Sequence, residues 1–163
     1  MADPVCGCEV DPAYEPKYYV GDYEKLRQWV SGAAAEVLRR IVERNEGSLP
    51  VKIEQWISCC RRFNVVLRPL HKTPTFTALL VGARGDNWWI FYNALASGDR
   101  QARYIAHELA EYITREESWH IDPPVECSSV FADEVRHLIA RDVESLVARA
   151  DGAPLANGRG SVY

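Results

Sequence analysis

Apolar residues recur at helical spacing over residues 22–45: Leu26, Trp29, Val30, Ala33, Val37, Leu38, Ile41 and Val42 fall on one face. Asn45-Glu46-Gly47 marks the predicted end of that helix. The run Leu49-Pro50-Val51-Lys52-Ile53 then leads into a second, shorter helix with Ile53, Trp56, Ile57 and Cys60 on one side. From Asn64 to Leu70 the pattern shifts to that of a strand, centred on Val65-Val66-Leu67, and Pro74 breaks it. Thr75 to Val81 and Trp88 to Tyr92 are β-rich runs either side of Gly82-Ala83-Arg84-Gly85-Asp86-Asn87, the pattern of a hairpin with a longer loop. A small, mostly antiparallel sheet of about three strands is therefore expected after the two helices. Ser97 is a good N-cap for a third helix running to about Glu116. Asp122-Pro123-Pro124 signals the start of a last helix, to about Ala150, with a stripe of Val135, Leu138, Ile139, Val143, Leu146 and Val147. The predicted architecture is a single α+β domain over 22–150. It is flanked by an extended arm at 1–21, carrying Tyr14, Tyr18 and Tyr19, and by a Gly-, Ala- and Asn-rich tail at 151–163.

Composition narrows the class. At 163 residues and 47% hydrophobic, the chain supports one real core and leaves little room for a second. A net charge of -4 lacks the basic surplus of a nucleic-acid binder, so no direct nucleic-acid partner is expected. No apolar run is long enough to cross a bilayer. The opening Met1-Ala2-Asp3-Pro4-Val5 has neither the basic start nor the apolar stretch of a signal peptide, so the cytoplasm is the expected compartment. Five cysteines, an odd number, do not make a secreted disulfide framework and are read as reduced thiols. Cys6-Gly7-Cys8 has no partner pair to complete a metal site, and Cys60 reads as a small core residue.

The chemistry concentrates on the third helix, in Tyr104-Ile105-Ala106-His107-Glu108-Leu109-Ala110-Glu111. Positions i and i+4 of a helix lie about 40° apart, so His107 and Glu111 point the same way and can reach one metal ion. Glu108 is turned beside them. Two ligands plus a carboxylate that takes a proton from water is the arrangement of a zinc hydrolase. The usual pattern is His-Glu-x-x-His, and here Glu111 stands at the second His. A carboxylate is an accepted zinc ligand, but its charge weakens the metal's pull on its water. Ala102, Ile105, Ala106, Leu109 and Ile113 form the apolar stripe, leaving His107 and Glu111 on a second face with Tyr104.

A wider set of segments resembles the ImmA/IrrE metallopeptidases. Ile90-Phe91-Tyr92-Asn93 followed by Arg100-Gln101-Ala102-Arg103-Tyr104-Ile105-Ala106-His107-Glu108-Leu109 matches that family's strand ending in Asn, short loop and Arg-containing helix. Upstream, Leu49 to Ile53 and Phe63 to Leu67 resemble its helix start and following strand. Downstream, Phe131-Ala132-Asp133-Glu134-Val135 is similar to its Phe-Ala helix. The ordered resemblance covers roughly residues 22 to 147. It implies a zincin-like fold, a bound Zn2+, Glu108 as general base, and a protein substrate, typically a helix-turn-helix repressor cleaved in response to stress.

A catalytic zinc takes three protein ligands and keeps one position open. The resemblance puts the third on the last helix shortly before Phe131, at Val125, and the nearest carboxylate is Glu126. Glu134 and His137, three apart and so neighbours on a helix, are alternatives, as is His120. Arg100, Arg103 and Tyr104 are candidates for substrate or oxyanion contact. His71 is expected to face solvent, and Trp88 and Trp89 to pack the sheet. Two other readings stay open. One is a family member weakened by the His-to-Glu change that acts by binding a regulator. The other is a carboxylate-rich site for iron, manganese or another divalent metal harder than zinc.

Overall fold

The computed structural model describes residues 23–71, 77–82, 87–117 and 129–151. In these stretches the order is α1 (Tyr23–Arg44), α2 (Ile53–Arg62), β1 (Val65–Leu70), β2 (Ala78–Val81), β3 (Trp88–Asn93), α3 (Gly98–Glu116) and α4 (Ser129–Asp151). This is the α+β arrangement expected from the hydrophobic pattern. The expected arm at 1–21, Cys6 and Cys8, most of the β2–β3 loop, the Asp122-Pro123-Pro124 start, and the tail beyond 151 lie outside the described residues.

The helix ends follow from local chemistry. The Asn45 N–H bonds back to the carbonyls of Ile41 and Val42, and the Gly47 N–H reaches the Val42 carbonyl at 2.9 Å. Closing that turn requires left-handed backbone, with φ of 61° at Glu46 and 93° at Gly47, and Gly tolerates this without a Cβ penalty. At the start of α2, Gln55 Oε1 accepts from the N–H groups of Val51 and Lys52, which otherwise lack helical partners. Ser97 is the N-cap residue of α3, in extended backbone, though its hydroxyl makes no capping hydrogen bond.

The sheet order is β1-β3-β2. β2 pairs with β3 antiparallel, as the hairpin pattern predicts. β1 pairs with β3 parallel, with Val65 opposite Trp88 and Leu70 opposite Asn93. The sheet is thus mixed rather than mostly antiparallel. The run Trp88-Trp89-Ile90-Phe91-Tyr92, rich in β-branched and aromatic side chains, takes the central place. Alternation then sorts the faces: Val65, Leu67, Ala78, Ile90 and Tyr92 are buried against the helices.

α2 packs on β1, and α3 packs on β2 and β3. α4 lies against α3, and α1 against α4. α3 is therefore the middle layer, and its residues Ala102, Ile105, Ala106, Leu109, Ala110 and Ile113 are almost wholly buried. Among the described residues, the face of α3 that carries the motif meets α4 and the rim of β2. Val135, Ile139, Val143 and Val147 bury the facing stripe of α4, while Leu138 and Leu146 pack at its margin. Cys59 joins Cys60 in the core, both as free thiols.

Gly82, just past β2, carries a constraint of its own. A Cβ there would sit 2.4 Å from Cδ2 of the Trp88 indole, whose ring meets Tyr112 edge-on at 5.6 Å. Gly82→Ala must push that ring out of place. An overpacking cost of about 1–3 kcal/mol is expected, read as a melting temperature lower by about 2–4 °C per kcal/mol. An unchanged melting temperature would show that Trp88 moves without cost.

Candidate metal centre

The β3–α3 junction sets the register of the motif helix. Asn93 Oδ1 accepts from the Leu95 N–H at 2.8 Å and turns the chain out of the strand. Gln101 Nε2 then donates to the carbonyls of Asn93, Ala94 and Ala96 at 3.3, 3.2 and 3.0 Å. With α3 pinned there and its apolar stripe on the sheet, His107, Glu108 and Glu111 face α4 and the rim of β2.

His107, Glu111 and His137 converge. Glu111 Oε2 lies 3.3 Å from His107 Nε2 and 3.2 Å from His137 Nδ1. One ligand atom from each of the three residues can be chosen so that all lie within 4.8 Å of one another. The two imidazoles meet edge-on, with ring centroids 5.1 Å apart. For bonds of about 2.0–2.1 Å, the edge of a tetrahedron is about 3.3–3.4 Å. Two edges of the triangle already have that length, so the donor set can fit a small divalent ion if the two imidazoles close on it.

Two further carboxylates border the group. His107 Nδ1 lies 3.0 Å from Glu144 Oε1, on α4. Glu108 Oε1 accepts from the Leu80 N–H at 3.1 Å. That bond has a structural reason. Asn93 donates to the Thr77 carbonyl across the β2–β3 ladder, so the alternate residue Leu80 turns its N–H away from β3. The leftover edge-strand donor needs an acceptor, and Glu108 supplies it.

The electrostatics follow. Burial pushes the Glu108 carboxyl up to about 7, with the Glu111 charge adding to the effect and the His107 charge and Leu80 N–H opposing it. Burial pulls the His107 imidazole down, but hydrogen bonds to Glu111 and Glu144 and the charges of Glu108 and Glu111 outweigh it, raising His107 to about 9. Burial raises Glu111, yet its hydrogen bonds from His107 and His137 win and hold it at about 2. Without metal, the proton held on His107 occupies the place a cation would take. Metal uptake near neutral pH must therefore release protons.

No family model, no curated protein and no solved structure matches this chain. Its function has to be read from the site.

Of the residues expected from the sequence, His107 and Glu111 meet as their spacing requires, Glu108 lies beside them, and His137 joins from α4. Glu126 and His120 lie outside the described residues. Glu134 is 7% exposed and is not in the group; its Oε1 has no hydrogen-bond partner among the described residues. Tyr104 packs against the core, with the Arg103 guanidinium 5.9 Å from its ring centre. Among the described residues neither hydrogen-bonds to the His–Glu group. Arg100 is exposed, as is His71, while Trp88 and Trp89 are half-buried in the sheet as expected. A cleft of about 410 Å³ opens between the N-termini of α2 and α3, lined in part by Val51, Trp56 and Gly98, and none of the cluster residues line it. Sequence reasoning missed Glu144. Its one available signal was position: it follows His137 by seven residues, two helical turns on the same face.

Proposed function

We propose that this chain is a metal-dependent peptidase, with zinc as the resident ion and a regulatory protein as substrate. The observation that carries the reading is the donor set. Glu111 occupies the place where the usual motif has its second imidazole, and His137 brings an imidazole back from α4. Two imidazoles and one carboxylate result, the His2Glu set of catalytic zinc. The resemblance to the ImmA/IrrE metallopeptidases supports the same reading, and with it a cytoplasmic repressor of the helix-turn-helix class as the substrate to try first.

When bound, zinc supplies Lewis-acid polarisation of a carbonyl and a water acidified toward neutral pH. The rest falls to side chains of this chain. His107, Glu111 and His137 would hold the ion. Glu108 sits beside them with one oxygen anchored by the Leu80 N–H and the other without a hydrogen bond among the described residues. From that position its carboxylate could accept a proton from the attacking water and deliver it to the leaving amine.

The direct test is metal binding. Zinc titrated into metal-free protein against a chromophoric chelator is expected to bind one per chain, and Glu111→Ala is expected to lose that binding. No zinc bound by the folded wild-type protein would sink the reading. Tighter binding of manganese or iron(II) than the usual affinity order allows would instead favour the harder-metal alternative, given three carboxylates close by.

A further inference from the structure

His107 is gripped at both ring nitrogens. Nε2 faces Glu111 at 3.3 Å, and Nδ1 faces Glu144 at 3.0 Å. We infer that Glu144 is a positioning residue of the metal centre, fixing the His107 tautomer that leaves Nε2 free to ligate. This rests on the proposal that His107, Glu111 and His137 bind metal, and it adds a fourth residue to that site.

The chemistry is that of donors and acceptors. An ionised carboxylate only accepts, so the nitrogen facing Glu144 must carry the proton. A neutral imidazole has one N–H and one lone pair. With Nδ1–H committed to Glu144, the lone pair falls on Nε2, on the side of Glu111 and His137. Both nitrogens face carboxylates, but an ion shared by Nε2 and Glu111 would take the place of the proton between them. Only the Glu144 side would still need an N–H. The opposite tautomer would set a lone pair against Glu144 and leave an N–H where the ion would bind. A ligating imidazole held through its second nitrogen by a carboxylate is also oriented and made a better donor.

The placement of Glu144 is not that of an incidental surface pair. His107 is only 12% exposed at its side chain, and the two residues are 37 positions apart, on α3 and α4. Seven residues separate His137 from Glu144, close to two full turns, so both project from one face of α4. The buried stripe of Val135, Ile139, Val143 and Val147 fixes the rotation of that helix. One rigid element thus brings the third ligand to Glu111 and the positioning carboxylate to His107. Both depend on the same helix register.

A merely structural ion pair between α3 and α4 would act on stability and would set no tautomer at His107. Glu144→Ala, measured by chelator competition, is expected to weaken zinc binding about 10–100-fold. Glu144→Gln keeps an acceptor oxygen at the same reach and is expected to fall between that variant and wild type. In zinc-loaded wild type, nitrogen-resolved NMR is expected to show His107 ligating through Nε2 with Nδ1 protonated. This last reading needs no variant, so it stands even if Glu144→Ala fails to fold. Ligation through Nδ1, or zinc affinity in a folded Glu144→Ala within about threefold of wild type, would overturn the assignment while leaving the metal site intact. A wild-type protein that binds no zinc would overturn both.

Discussion

Glu108→Gln is expected to reduce peptide hydrolysis by about 10²–10⁴-fold, to leave zinc bound, and to make the metal-free protein more stable above neutral pH. All three effects come from one carboxyl. Gln keeps an oxygen for the Leu80 N–H, so the local fold survives. It cannot accept a proton, so the acid–base step is lost. The stability gain follows from linkage. Glu108 ionises near 7 in the folded protein against an ordinary value of 4.5, so the folded state holds more protons between those values. Wild-type stability therefore falls as pH rises from about 4.5 to 7 and stays lower beyond, while the Gln variant escapes that fall. One pKa unit is worth about 1.4 kcal/mol. Part of the gain is returned, because the Glu108 charge also helps keep His107 protonated. A net gain of about 1–2 kcal/mol at pH 8 is expected, shrinking toward zero near pH 4.5. Turnover of the zinc-loaded forms and melting of the metal-free forms at pH 5 and 8 check it. Unchanged turnover would remove Glu108 from the chemistry; equal melting curves at pH 8 would mean its carboxyl is better hydrated than its burial implies.

Much of this domain is written locally, which is why periodicity found it. The apolar stripe of α3 was legible residue by residue because each member repeats every three or four positions and all end up on one buried face. The ends of α1 and α3 were legible for a related reason: Asn45-Glu46-Gly47 and Ser97 act through backbone within a few residues. The same holds for the pairing of His107 with Glu111, which a single helix guarantees.

What depended on tertiary pairing was not legible. His137 stood among the alternative third ligands beside Glu134, three residues away, but nothing local shows that its ring pairs with Glu111, 26 positions earlier on another helix. Helix spacing says which residues share a face, not what that face meets. Glu144 went unseen for the same reason, since its meaning comes from His107. The parallel pairing of β1 with β3 is a third case. A hairpin signal ties β2 to β3, but nothing local tells β1 to join the far side of β3. Loss of the second motif imidazole looked like a weakened site when one helix was read alone. The imidazole that would compensate appears only when α4 is laid beside α3.

That compensation makes a strong prediction. His137→Ala leaves one imidazole and one carboxylate, and zinc affinity is expected to fall by more than the roughly 100-fold upper range for loss of a residue behind the ligands. Exchanging the two donors, as Glu111→His with His137→Glu, restores the His2Glu set and writes His-Glu-x-x-His into α3. If donor identity governs binding, the double variant is expected to recover one zinc per chain. His137→Glu alone, with one imidazole and two carboxylates, is expected to shift preference toward manganese. Isothermal titration of the four proteins with both metals separates the cases. Full zinc affinity in His137→Ala would mean the third ligand is elsewhere, and Glu126→Ala would then be the variant that loses it. A double variant that folds but binds nothing would show that the reach of each side chain matters more than its donor atom. Glu111 Oε2 sits within 3.2–3.3 Å of both imidazoles and an exchanged pair has to rebuild that geometry from opposite helices.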